Sequence, residues 1–182
     1  MARSRRRPSS KNKITQTFAE VGKLRASAWI LRTLLFCGAW EGFINDHGYP
    51  KDEIFTLLEL DDLNNENINE RDVYSTLIQK LDDLEDVDNF EEVNLRKNID
   101  ILGKLLHLNA TEKEILFLFV AIKLVDVIEQ ILDYLGSNLS SYRMIQAISI
   151  ITGIEAAEIK KAVNFDGSLI SSGLIKFDKS PQ

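Results

Sequence analysis

The apolar positions of this chain recur mostly every three or four residues, the spacing of one buried face of an α-helix. Between Ile14 and Ile44, the residues Phe18, Val21, Leu24, Ala28, Leu31, Leu35 and Trp40 keep roughly to that interval and predict one long helix. His47-Gly48-Tyr49-Pro50 ends it, because Gly supplies a C-cap and Pro can open the next helix. Lys51 to Leu60 reads as a short amphipathic helix carrying Ile54, Phe55, Leu57 and Leu58. The polar run DDLNNENIN, Asp61 to Asn69, is a loop and a candidate boundary. Two more helices follow, Arg71 to Val87 through Val73, Leu77, Leu81 and Leu84, and Phe90 to Leu106 through Val93, Ile99, Leu102 and Leu106.

The stretch TEKEILFLFVAIK, Thr111 to Lys123, holds an uninterrupted apolar run from Ile115 to Ile122. Thr111 and Glu114 read as a capping box, a start signal that argues for helix over strand. A helix apolar on every side must be wrapped by neighbours, so this segment is expected to be the most buried of the chain. The pattern continues through Val127, Ile128, Ile131, Leu132 and Leu135 to Gly136, as one bent helix or as two. Ser140 or Ser141 then caps a helix with Met144, Ile145, Ile148 and Ile151; Gly153 turns the chain, and Glu155 to Val163 forms another short helix. Helix, Gly-containing turn, helix is the pattern of a helix-turn-helix, with Ile148, Ile154 and Ile159 at its inner contacts. The closing LIKF, Leu174 to Phe177, is β-prone and suits the first strand of a wing. The expected architecture is mostly α. A disordered basic tail (1–13) precedes an N-terminal helical region (14–60), the polar loop (61–69) and a helical domain (70–178), whose last part, from about residue 110, is winged-helix-like.

Composition agrees with that class. At 182 residues and 45% apolar, the chain can bury the core of one domain with a helical extension. Its one cysteine, Cys37, excludes an internal disulfide, fits a reducing compartment and is expected to pack inside. Ala26 to Ile44 is dense enough to suggest a membrane span, but Arg32 and Glu41 interrupt it. The apolar stretch between them is about half of the ~20 residues that a span needs. No secretory signal fits either, and a cytoplasmic location is expected.

The net charge of −6 is unevenly spread. Residues 1–40 hold nine Lys or Arg and one acid; residues 41–100 hold eighteen acids and five bases; the remainder is near neutral. Arg3, Arg5, Arg6 and Arg7 could touch nucleic acid or an acidic partner. A solubilising tail accounts for them equally, and the Arg- and Ser-rich, acid-free start also resembles an organelle transit peptide.

Motifs that would carry chemistry are missing. Leu57 to Asp62, LLELDD, has the apolar-then-acidic form of a nucleotide hydrolase strand end, but no GxxxxGK[ST] loop occurs in the chain. Gly22-Lys23 and Gly103-Lys104 both lack the upstream Gly and the following Ser or Thr. The acids Asp82, Asp83, Glu85, Asp86, Asp88, Glu91 and Glu92 do not follow the Ca²⁺-loop spacing and read as a solvated surface. His47 and His107 have no Cys or His at ligand spacing. No catalytic residue, metal or cofactor is therefore expected, and whether the protein is an enzyme is left open.

The run LGKLLHLNATEKEILFLFVAIK (Leu102 to Lys123), a helical pair, and GSLISSGLIKF (Gly167 to Phe177) together resemble the region before the motor in a group of bacterial AAA-type ATPases. There a helix of the form L-x-L-[ST]-x-x-E-x-x-I-L leads a small winged helix, and a phrase of the form x-L-x-x-x-G-L-[IL] closes it. The resemblance covers about residues 100–178 and implies an N-terminal interaction module that docks a protein partner or tethers an ATPase motor. Without a Walker motif no ATPase residue carries over, and the resemblance implies a fragment or a stand-alone relative, ATPase activity requiring a motor after Gln182. The alternative is a DNA-binding winged helix with a basic arm. Its recognition helix would open on Glu155, Ala156, Ala157 and Glu158, with Lys160 and Lys161 one turn later, a charge balance that favours weak nucleic-acid binding at most.

Overall fold

The computed structural model describes residues 21–45, 49–60, 70–85, 93–136, 139–165 and 167–176. The basic tail, the loop 61–69 and most of the acidic run after Glu85 lie outside the described residues. Among the described residues ten helices follow one another: α1 (Lys23–Phe36), α2 (Trp40–Asn45), α3 (Tyr49–Leu57), α4 (Glu70–Glu85), α5 (Asn94–Leu105), α6 (Ala110–Leu124), α7 (Asp126–Asp133), α8 (Ser141–Thr152), α9 (Ala156–Ala162) and α10 (Ser168–Ser171).

The long first helix is corrected. α1 starts only after Gly22 and ends before Gly38, both of which adopt φ of +86°. A left-handed residue stops an α-helix, and glycine reaches that conformation without a Cβ penalty. Spacing alone carried the apolar pattern across a break that two glycines impose.

α1 packs against α4, α7 and α8, while α6 packs against α5, α7, α8, α9 and α10. The centre of the core is therefore shared. In α1 every residue from Ala26 to Leu35 is buried except Arg32. In α6 Ile115, Leu116, Phe117, Leu118 and Ala121 are buried, but Phe119, Val120 and Ile122 keep some contact with solvent. The expectation that Ile115 to Ile122 is the most buried stretch gives way to this pairing of two helices.

The start of α6 also differs in register. Asn109, not Thr111, is the N-cap: its side chain accepts from the Glu112 amide at 2.9 Å, and the Glu112 carboxylate accepts from the Asn109 amide at 2.9 Å. Glu114 instead joins Arg25 of α1, at 2.6 Å, to Arg96 of α5. The sequence LVDV resolves into two helices, because Val125 takes an extended ψ of 95° between α6 and α7.

α8 and α9 form the expected helical pair around Gly153, at φ +75°. Ser140 caps α8 by accepting from the Arg143 amide. Where a first wing strand was expected, no strand occurs among the described residues; Leu174 to Lys176 run irregularly after α10, and Phe177 lies outside them. This segment is anchored by Leu169 and Ile175, both buried, and by no neighbouring strand. A single extended segment without a ladder partner does not make a sheet.

Candidate interaction surface

Gly153 is where the sequence, the turn and the surface meet. Its amide bonds to the Ser149 carbonyl at 2.8 Å, closing α8 with a left-handed cap. Ser149 Oγ donates to the Ile154 carbonyl at 2.6 Å, and Thr152 Oγ1 donates to the Ile148 carbonyl at 2.7 Å while accepting from the Ile154 amide. Three side-chain bonds thus fix a turn of three residues, so the entry of α9 is set by local chemistry. Ile148 and Ile159 bury beneath the turn, as their spacing predicted, and Ile154 is half-buried beside them.

Arg32 of α1 reaches the same corner. Its Nη1 donates to the Ile151 carbonyl at 3.0 Å, and Nε and Nη2 donate to Glu85 Oε1 of α4 at 3.0 and 2.9 Å. One guanidinium therefore pins the last turn of α8 to α1 and α4. Glycine suits this position through its backbone, at φ +75°; a Cβ on residue 153 would only come into contact with Arg32 Nη1, at 3.4 Å.

Around these groups lies an open groove of about 370 Å³, lined by Arg32, Phe36, Glu85, Ser149, Ile150, Gly153, Ile154 and Glu155. Phe36 is 54% exposed at its edge, an aromatic ring left in water by the last turn of α1. With Ile150 and Ile154 it gives the groove an apolar side, while Glu85 and Glu155 give it an acidic rim. The groove offers apolar side chains for packing and carboxylates for charge pairing.

Of the sequence-derived contact residues, those that are described fall elsewhere. Arg3, Arg5, Arg6 and Arg7 lie outside the described residues. Lys160 and Lys161 are exposed on the last turn of α9, whose buried side is Ile159 and Ala162. Neither lysine lines the groove. The exposed start of α9 carries Glu155 and Glu158, and Glu158 meets the Thr111 hydroxyl at 3.4 Å. Sequence reasoning missed Arg32 and Phe36 as surface-forming residues. The signal was present: Arg32 is a cation inside an otherwise apolar run, which requires a partner brought by another element.

Among the described residues no group of three or more His, Cys, Asp or Glu is placed to hold a metal ion. Cys37, expected to be buried, is half-buried, and its surroundings push the thiol up to about 11, so it stays protonated and unreactive near neutrality. His107 is exposed at φ +55° after α5, and His47 lies outside the described residues. Among the described residues no helix is long and apolar enough to cross a membrane. Comparisons of the chain with protein families, with curated proteins and with solved structures find no match.

Proposed function

We propose that the protein is a non-catalytic interaction module whose α8–α9 corner docks a protein segment. The observation that carries this reading is the groove beside Gly153, where exposed Phe36 and the aliphatic edges of Ile150 and Ile154 face solvent next to a guanidinium already bonded within the fold. An exposed apolar concavity with a polar rim is the usual form of a protein-binding site. The likeness of residues 100–178 to the region before an AAA-type motor agrees with it and adds a partner class, an ATPase motor or what such a motor acts on. In this reading the last third is a winged helix reduced to its helical part.

A second reading keeps the helix-turn-helix as a DNA reader, favoured by Lys160 and Lys161 standing exposed on the second helix. The acidic first turn opposes it, because Glu155 and Glu158 would face phosphates. ATP hydrolysis by this chain is not part of either reading, since no phosphate-cradling loop is present in its sequence.

The test is a peptide-library selection against the full chain, with Phe36→Asp as the counter-target. Apolar peptides bearing a basic residue are expected to be enriched, and to lose binding to Phe36→Asp and to Ile154→Asp while both variants keep the parent helical circular dichroism. Enrichment that is indifferent to both substitutions, or none at all, would contradict the groove.

A further inference from the structure

Four polar side chains line the groove beside Gly153, those of Arg32, Glu85, Ser149 and Glu155, and three of them are engaged within the fold. The Arg32 guanidinium donates to Glu85 through two nitrogens and to the Ile151 carbonyl through the third, so this cation and this carboxylate offset one another. The Ser149 hydroxyl donates to the Ile154 carbonyl. Glu155 differs. It stands at the N-cap of α9, where Ser, Thr, Asp or Asn would bond the first amides, yet its side chain makes no cap bond. Among the described residues its carboxylate has no partner, and the residue is exposed at the groove's edge.

We infer, from the reading of this groove as a docking site, that its occupant is a protein segment with an aliphatic residue close to a lysine or arginine, and that Glu155 selects the basic residue. Phe36, Ile150 and Ile154 supply apolar area, which favours an aliphatic side chain and is indifferent to the charge beside it. Discrimination falls to the one charge that is left over. A cation next to Glu155 is attracted and an anion repelled, so the site gains on basic segments and loses on acidic ones. Glu158, three residues on and a surface neighbour along the helix, reinforces that sign. The chain's own basic run, Arg3 to Arg7, holds no aliphatic residue among its arginines and meets only half of the requirement. Exposed ion pairs contribute modestly, so basic should exceed neutral by roughly two- to fivefold in affinity at physiological salt, and by more at low salt.

Titration of the isotope-labelled full chain with synthetic peptides, followed by the amide shifts of Gly153 and Ile154, tests this. The peptides carry leucines in a Ser/Gly background and differ at one neighbouring position, Lys, Gln or Glu. The parent chain should bind the Lys peptide most tightly and the Glu peptide least. Glu155→Gln should level the three while binding stays leucine-dependent, and Glu155→Lys should invert the order. Glu158→Gln, a change outside the groove, should leave the order in place. A charge order that survives Glu155→Gln, or no order while binding still depends on Phe36, would overturn this inference and leave the docking reading standing. Shifts that are absent, or indifferent to Phe36→Asp, would overturn both. Tighter binding once Arg3, Arg5, Arg6 and Arg7 are changed to Ala would make the chain's own N-terminal segment the occupant. Groove shifts that grow with chain concentration before peptide is added would assign the groove to a second copy. Either result overturns the inference as well.

Discussion

Phe117 shows how single residues tie the two central helices together. Trp29 of α1 meets its ring edge-on, with centroids 5.5 Å apart, and the guanidinium groups of Arg25 and Arg96 lie 5.3 and 5.8 Å from its centre. Both arginines also bond Glu114, so one aromatic ring and one carboxylate hold α1, α5 and α6 at a common point. Phe117→Ala should cost about 3–5 kcal/mol in denaturant unfolding, the range for deleting a core aromatic. Phe119, which keeps solvent contact, should cost less; an equal or larger loss at Phe119 would place the core on the wrong side of α6. Cys37 yields a pH prediction. Its folded thiol titrates near 11, above its ordinary value, because burial disfavours the thiolate. The unfolded thiol therefore loses its proton first, and stability held below about pH 8.5 declines as pH rises towards 11. Cys37→Ser, compared with the parent chain over that window, should remove part of the decline; identical pH profiles would mean that the thiol is not shielded.

At the scale of elements, helix identity was largely legible and helix ends were not. Spacing of apolar residues recorded buried faces, so α4, α5, α6, α8 and α9 stand close to where the pattern put them. Ends depend on backbone conformations that leave weaker marks. α5 finishes with His107 at φ +55° while the Leu108 amide bonds back to the Gly103 carbonyl at 2.8 Å, and α3 finishes likewise at Glu59, φ +58°. These are Schellman-type ends in which a residue other than glycine takes the left-handed position, so no glycine announced them. His107→Gly should stabilise the protein by about 1 kcal/mol by relieving that conformation; a destabilised thermal melt would show that the imidazole is needed there. The cap of α6 was misplaced by two residues, since Thr111 and Glu114 satisfy the same x-x-E rule as Asn109 and Glu112. What separates them is tertiary. Glu112 is 3% exposed and its Oε1 also accepts from the Leu169 amide at 3.1 Å, so the carboxylate that starts α6 also holds α10. Glu112→Ala should therefore cost about 2–3 kcal/mol, for a charged acceptor with several bonds, and selectively raise hydrogen exchange at residues 167–176. A uniform rise across the chain would argue against this local tie.

The described residues form a helical assembly in which α1 and α6 share the centre of the core. The corner groove could not be read from the sequence, because Arg32, Glu85 and Ile151 are brought together by packing across 119 residues of chain. What the sequence did convey was the order of charge at α9, Glu155 and Glu158 at its start and Lys160 and Lys161 one turn later. Fluorescence anisotropy of a labelled duplex at physiological salt, titrated with the full chain, tests the central claim most directly. Any binding should be weak, indifferent to sequence and strongly salt-dependent. It should disappear when Arg3, Arg5, Arg6 and Arg7 are changed to Ala, and survive Lys160→Glu with Lys161→Glu. Sequence-selective binding that survives loss of the four arginines and is destroyed at Lys160 and Lys161 would contradict the docking account and make the α8–α9 pair a reader of DNA.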